Sequence, residues 1–565
     1  DDVNITGYLE KNPEEFSLFL QILDRSGTRG YLGAYGTYTL FTPNNSAVTA
    51  WLKDLNKSSV EQLSAAELKD VVRFHLLVDT VATDKFTDGK IRQITEFGQY
   101  LLSGVVSRNG VSSYIINKEA LILKTNVRVG NGIIHVLDRV LTPATKTLAT
   151  LIEENPRYSM FTAALKETGF FDSLNFVQAN VPNPSRRFQT VILESDSALR
   201  AAGFSNYAAL KARLSRTGNP RNQLDSLWMY VAYHIVPEPS YTADIVTTPT
   251  LVTLAPSEII TTKLVGTTIL LNENEFNGVI EPGVEINRPF SDITAANGVI
   301  HESKSFFRVR PRQPTAVFFD IGDQPELRRI SGWRVPGAAS IPLIQNGALI
   351  TSGIRGDKIP TTPQNYVVPS LAIDGAGRSY ANRDHFRFSA APNNPPRFAW
   401  VEFRTPMIVK GRYRVWICYA QVGRTTIAQV GLNVGTPQEQ FLPDLVNFRT
   451  TLSASGVTTA NAGLPSADPL MLTNGFKRYM ATTADINNGV RGLQPVNTSG
   501  WDLMVGRTAG VVDIKTTDRH WLRLSIVSGE NQSETMMIDM IHFIPVDQDQ
   551  NYPRFSPSGL IYQRP

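Results

Sequence analysis

Seven histidines, at positions 75, 135, 234, 301, 385, 520 and 542, are the residues of this 565-residue chain best suited to acid–base work or metal binding. Their spacing gathers no cluster, so the fold would have to do so. The carboxylate pairs Glu14-Glu15 and Glu153-Glu154 stand at expected helix starts, where negative charge favours the helix dipole. The single cysteine, Cys418, lies in the apolar run Val415-Trp416-Ile417-Cys418-Tyr419-Ala420 and reads as a buried small hydrophobe. One cysteine excludes intrachain disulfides and two-cysteine metal sites. Nucleophile elbows, phosphate loops and HExxH are absent. The expectation is therefore no enzyme, with no catalytic, cofactor-binding or metal-binding residue. Asp320, Asp323 and Asp502 could ligate a structural calcium ion, although no loop has EF-hand spacing.

The elements that must position these groups are written twice. Asn12-Pro13-Glu14-Glu15 precedes Phe16, Phe19, Leu20 and Leu23. This is a cap residue, a proline at the first helical position and one apolar helical stripe, with Gly27 as the stop. Asn155-Pro156 precedes Tyr158, Phe161 and Leu165, with Gly169 as the stop. Three landmarks then recur in order. The stretch from Thr39 to Val48 pairs with that from Thr190 to Leu199, Phe74-His75 with Tyr233-His234, and Asn131-Gly132-Ile133-Ile134-His135 with Asn297-Gly298-Val299-Ile300-His301. The offset widens at every landmark, as loop insertions in the second copy would produce. Asn131-Gly132 before an apolar run predicts a hairpin-type turn, and Asn44, Asn45 and Ser46 are helix-capping types. The histidines beside aromatics, His75 and His234, are expected to satisfy buried backbone groups.

These landmarks resemble the fasciclin domain. Phe41-Thr42-Pro43-Asn44-Asn45-Ser46-Ala47 is similar to the family's first box, Asn131 to Asp138, including Gly132 and His135, to the second, and Phe74-His75 to the central aromatic–His pair. The resemblance covers residues 3–142 and 147–309. It implies compact α/β domains, extracellular adhesion or protein interaction, and no catalysis or cofactor. His234, Asn297, Gly298 and His301 are the second copy's counterparts. That copy departs from the pattern: Glu194-Ser195 are read as standing where Thr42-Pro43 stand, and Glu302-Ser303 as replacing Leu137-Asp138. It also carries a turn-rich loop, Pro182 to Arg187, read as solvated.

After Arg310-Pro311-Arg312-Gln313-Pro314, a proline-punctuated linker, short alternating runs split by turn residues predict an all-β sandwich. Gly411 to Ile417 and Asp539 to Val546 resemble strands of galactose-binding-like jelly rolls, a family that includes carbohydrate-binding modules. Trp416 and Trp521 read as core; Trp333 and Trp501, in turn-rich contexts, are the candidate sugar-stacking residues.

The fold class expected is multidomain, with two α/β fasciclin-like domains (1–145 and 146–310), an all-β jelly-roll sandwich (311–548) and a C-terminal tail (549–565). Basic and acidic residues number 55 and 51 without long runs, which argues against a nucleic-acid surface. No apolar run reaches the length of a membrane span. Near-absence of cysteine leans toward a bacterial or cytosolic protein. Asp1 in place of Met marks a trimmed chain, and Asp1-Asp2 read either as the remnant of the acidic stretch after a lipid-bearing cysteine in surface lipoproteins of Bacteroidota or as a proteolytic boundary. The expected role is that of a cell-surface or periplasmic binding lipoprotein at the bacterial outer membrane. Its partners would be other proteins, among them outer-membrane β-barrels or surface lipoproteins. It would serve as an accessory subunit of a transport or assembly complex, touching the membrane only through a lipid anchor upstream of Asp1. The alternative is a glycan-binding surface protein using the C-terminal sandwich.

Overall fold

A computed structural model describes residues 3–34, 36–176, 188–392, 394–423, 425–461, 466–481, 500–528 and 535–559. Asp1-Asp2, the Pro182–Arg187 loop and the Thr498-Ser499 turn fall outside these residues. The chain divides into two compact units: Asp1–Glu273 with Pro282–Val309, and Asn274–Glu281 with Arg310–Pro565.

In the first unit, the strand Tyr38–Pro43 is buried at all six positions, as a strand covered on both faces must be. It pairs in parallel with Gly132–Leu137, from Tyr38 opposite Gly132 to Pro43 opposite Leu137, and antiparallel with Leu76–Val78. These strands belong to a seven-stranded sheet. One face, with Leu40 and Ile134, packs on Phe16, Phe19 and Leu23 of the Pro13–Ser26 helix and on Val48 and Leu68. The other, with Phe41 and Leu137, packs on Phe74, Leu101 and Ile116. The same parallel crossing recurs between Gln189–Glu194 and Gly298–Ser303, again buried throughout.

The capping signals act as chemistry requires. Asn44 Oδ1 accepts the Ala47 N–H, and Ser195 Oγ does the same for Ala198. Gly27 and Gly169 end their helices in the left-handed conformation, at φ 74° and 85°. Asn12 precedes the proline-led helix, but its side chain caps nothing there: Nδ2 turns back to the Tyr8 carbonyl at 2.8 Å.

Backbone pairing keeps the landmark alignment of the copies and moves the two replacements read beside it by one residue. Phe41 N–H bonds the His75 carbonyl and Ile192 N–H that of His234, so Glu194 occupies the Pro43 position and Ser195 the Asn44 position. His135 faces Phe41 and His301 faces Ile192, so Glu302 replaces Val136 and Ser303 replaces Leu137.

The second unit is built of two antiparallel sheets, of eight and six strands. A single core holds Phe386, Ile417 and Ile541 of the larger sheet together with Phe403, Val430 and Leu522 of the smaller. The hairpin Asn274–Glu281, which its sequence position places in the second copy, belongs to this unit. Its Glu281 is gripped by Arg312, whose guanidinium lies 4.0 Å over the Phe276 ring. Residues 553–557 are buried against this unit. Phe555 N–H bonds the Tyr479 carbonyl and its own carbonyl accepts from Ala481, both at 2.8 Å. Arg554, Phe555 and Ser556 are all buried.

Candidate functional site

The repeated Asn-Gly sits where the chain crosses into the central parallel pair. Asn131 Oδ1 accepts the Ile5 N–H at 2.8 Å and Nδ2 donates to the Leu32 carbonyl at 2.7 Å. Asn297 repeats this with the Leu148 N–H at 2.7 Å and the Leu174 carbonyl at 2.8 Å. Each asparagine therefore satisfies an orphan donor at the start of its copy's first helix. The glycines serve closeness rather than turning. A Cβ on Gly132 would lie 1.9 Å from the Tyr38 carbonyl oxygen, and one on Gly298 1.9 Å from that of Gln189. The tight turn of the first copy is Gly130-Asn131, between Val129 and its partner Gly132, one residue earlier than the dipeptide suggests.

All four repeat histidines are buried, and in three of them the partners fix which nitrogen carries the proton. His75 Nδ1 donates to the Val71 carbonyl at 2.6 Å while Nε2 accepts the Leu141 N–H at 2.9 Å. His135 bonds the Val81 carbonyl through Nε2 at 2.8 Å and accepts the Asn126 N–H through Nδ1. His301 bonds the Ser240 carbonyl at 2.6 Å and accepts the Asp292 N–H. A second proton on any of these three would set N–H against N–H in a dry interior. Burial accordingly holds the His75 pKa down at about 4 and lowers those of His135 and His301.

His234 differs. Its Nδ1 bonds the Tyr230 carbonyl at 2.7 Å, and Nε2 meets Glu194 Oε1 at 2.8 Å. That oxygen also accepts the Phe307 N–H at 2.9 Å, and the Tyr230 hydroxyl bonds the other carboxylate oxygen. The second copy thus inserts a carboxylate into the histidine-to-backbone link that the first makes directly. Glu302, also buried, accepts from Arg157 at 2.5 and 2.9 Å, from Tyr158 at 2.8 Å and from Asn287 at 2.5 Å.

These histidines predict acid sensitivity. Each of His75, His135 and His301 is neutral when folded but protonates near pH 6.5 when unfolded, so its stabilising contribution is lost as pH falls below 6.5 toward its lowered folded pKa. His75, held at about 4 in the fold, contributes a slope of about 1.4 kcal/mol per pH unit between 6.5 and 4, and His135 and His301 act in the same direction. Urea unfolding of the first unit, followed by hydrogen exchange, should show the midpoint dropping steeply from pH 6.5 to 4; a flat midpoint would contradict the assignment.

In the second unit, Trp333 is half-buried against the core, with Nε1 donating to the Gly322 carbonyl at 2.9 Å and the Arg334 guanidinium 4.6 Å over its ring. Trp501 also packs half-buried on the core. Trp416 is fully buried, and Trp521 is half-buried beneath the Arg355 guanidinium at 3.8 Å. Asp320 bonds Arg334 and Asn382, Asp323 bonds Arg328, and Asp502 bonds Ser453. Among the described residues, no group of three or more His, Cys, Asp or Glu could hold a metal ion.

The larger sheet hides a charge that spacing does not betray. Lys477 is 1% exposed, and its Nζ donates to His542 Nδ1 at 2.8 Å and to the Gln550 carbonyl at 3.1 Å, 4.8 Å over the Trp416 ring. Burial pushes its pKa down to about 7. Cys418, opposite Gly506 as Lys477 is, is buried, and burial drives its thiol pKa far up, as expected of an inert thiol.

Comparison with known proteins places a fasciclin domain in the first unit: the family model described as Fasciclin domain matches residues 14–143. Human stabilin-1 is 28% identical over 146 residues, 26% of this chain and 6% of stabilin-1. Transforming growth factor-beta-induced protein ig-h3 of Sus scrofa is 24% identical over 134 residues, 24% of this chain and 19% of that protein. The chain therefore spans less than a fifth of either relative. Protein sll1483 of Synechocystis is 28% identical over 134 residues, 23% of this chain and 68% of that protein. A solved FAS1 domain pair from the insect cell adhesion molecule fasciclin I covers 53% of this chain and 95% of its own, at 15% identity and a TM-score of 0.24, too low to bear on the fold. Among the described residues no helix is long and apolar enough to cross a membrane.

Proposed function

We propose that this chain is a non-enzymatic binding protein displayed outside a bacterial cytoplasm, holding other proteins through its surfaces. One observation carries the reading. In the fasciclin domain and the copy that follows it, every repeated polar group that resembles machinery is bonded to the backbone or to a buried partner. Function is thereby left to the exposed faces, as fold-level reasoning alone would not decide. The second copy is read as a second fasciclin-like domain (146–310) and the β-rich unit as a jelly-roll sandwich of the galactose-binding-like type (311–548). In its fullest form the protein is a lipid-anchored accessory subunit of an outer-membrane transport or assembly complex in Bacteroidota. Crosslinking in native cells, then affinity purification of the full chain from detergent-solubilised outer membranes, should recover a large β-barrel partner in stable proportion. Recovery of the free monomer alone would count against this reading. Glycan binding ranks second, because Trp333 and Trp501 turn much of their surface to the protein and not to solvent.

A further inference from the structure

The helix Pro13–Ser26, the helix Asn45–Asp54 and the 3-10 turn Val60–Gln62 enclose an open groove of about 720 Å³. Its apolar lining is half-buried Leu18 with buried Leu52 and Val60. Asn45 fixes the spacing of the two helices: its Oδ1 accepts the Leu18 N–H at 2.9 Å and its Nδ2 donates to the Glu14 carbonyl at 3.0 Å. Beyond the second helix Asn56 turns the chain at φ 57°, and Lys57 N–H returns to the Leu52 carbonyl at 2.8 Å. Gln62 then clasps Ser58, Oε1 accepting the Ser58 N–H at 3.1 Å and Nε2 donating to Ser58 Oγ at 2.7 Å. The groove is thus a built feature with tied walls.

Its charge has one sign. Lys53 and Lys57 are the ionisable residues of the lining, both exposed, and no carboxylate lines it. Among the described residues neither lysine lies within 4 Å of a carboxylate oxygen, although the charge of Lys57 reaches Glu67 and helps hold its carboxyl down. An apolar lining beneath two exposed cations suits a side chain that enters while neighbouring carboxylates stay at the rim, where charge steers and selects a partner.

Resting on the protein-binding reading, we propose that this groove in the fasciclin domain docks an acidic peptide segment of a partner protein, with an apolar side chain seated over Leu18, Leu52 and Val60 and its carboxylates at Lys53 and Lys57. The full chain, labelled at leucine and valine methyls, is titrated with a short peptide alternating glutamate and leucine, and separately with its lysine–leucine counterpart. Shifts confined to Leu18, Leu52 and Val60, seen with the acidic peptide alone and weakened by salt, are expected. Lys53→Glu/Lys57→Glu should weaken that peptide about tenfold or more, since two attractions become repulsions, while the urea midpoint drops only slightly, because Lys53 sits in the last turn of its helix, where a carboxylate opposes the dipole. Absence of shifts, shifts elsewhere, or equal binding by the charge-reversed chain would overturn the groove. A partner recovered by crosslinking that binds both chains equally also overturns it, yet leaves the protein-binding reading standing; failure to recover any partner counts against that reading, while the peptide titration still judges the groove.

Discussion

Gly132→Ala and Gly298→Ala should each unfold the copy that carries them, at a cost above about 4 kcal/mol. The cause is steric and lies in the parallel crossing. A methyl at either position meets a carbonyl oxygen at 1.9 Å, and at Gly298 it also meets Leu148 Cδ1 at 2.7 Å. The Leu148 side chain could swing away, but the two carbonyl oxygens belong to the backbone of the facing strand and cannot. The strands must part, and Leu40 and Ile134, or Val191 and Ile300, lose the packing that the pair organises. Gly30→Ala is the control, because a Cβ there meets nothing within 4 Å. Hydrogen exchange on the intact chain reads the result directly. Gly132→Ala should strip protection from 38–43 and 132–137, and Gly298→Ala from 189–194 and 298–303. A loss below about 1 kcal/mol in either would show that the strands have room the distances deny.

The second large effect is a rise in stability of the C-terminal unit above neutral pH. Lys477 carries its proton up to pH 10.5 when unfolded but releases it near 7 when folded. Between those values the unfolded state binds the extra proton, so raising pH favours folding by about 1.4 kcal/mol per unit. Below pH 7 both states are protonated and the full burial penalty remains. His542, Gln550 and Trp416 touch the ammonium, and Asp549 and Arg554 act on it through their charges. The thiol, neutral in the fold, opposes the trend above its unfolded pKa of 9, so the clean window is pH 7 to 9. Lys477→Met leaves a constant offset from the deprived His542 and Gln550 groups but removes the slope. Urea midpoints of this unit, read from exchange of the Thr535–Pro545 strand, should diverge between the two chains across that window. Parallel profiles would mean that Lys477 keeps its proton.

Much of this architecture was legible in the residues because it depends on local chemistry. Asn44 and the glycines at 27 and 169 work through their own side chains or their lack of one, so their types announce caps and stops. The recurrence of Asn-Gly and of buried histidine likewise located the crossing twice. What stayed hidden depends on residues distant in sequence. Asn-Gly before an apolar run looks the same whether it makes a turn or lets two strands approach. What Glu194 and Glu302 bind needed the fold, since His234 and Arg157 lie far from them in sequence. Nothing in Asn274–Glu281 reveals that it belongs with the second unit, and Lys477 looks like any surface lysine until Gln550 and His542 close over it. The groove was illegible for the same reason: Leu18, Lys53 and Val60 meet only through the helix spacing that Asn45 sets.

The central claim is a division of labour, with buried motif groups holding the fold and exposed faces holding the partner. Its most direct test is the affinity of a crosslinked, purified partner for folded wild-type chain, for His75→Gln and for Lys53→Glu/Lys57→Glu. The account predicts that the histidine change lowers the unfolding midpoint with affinity intact, while charge reversal weakens binding with only a slight drop in the midpoint. A histidine variant that stays as stable as wild type yet loses its partner would contradict it.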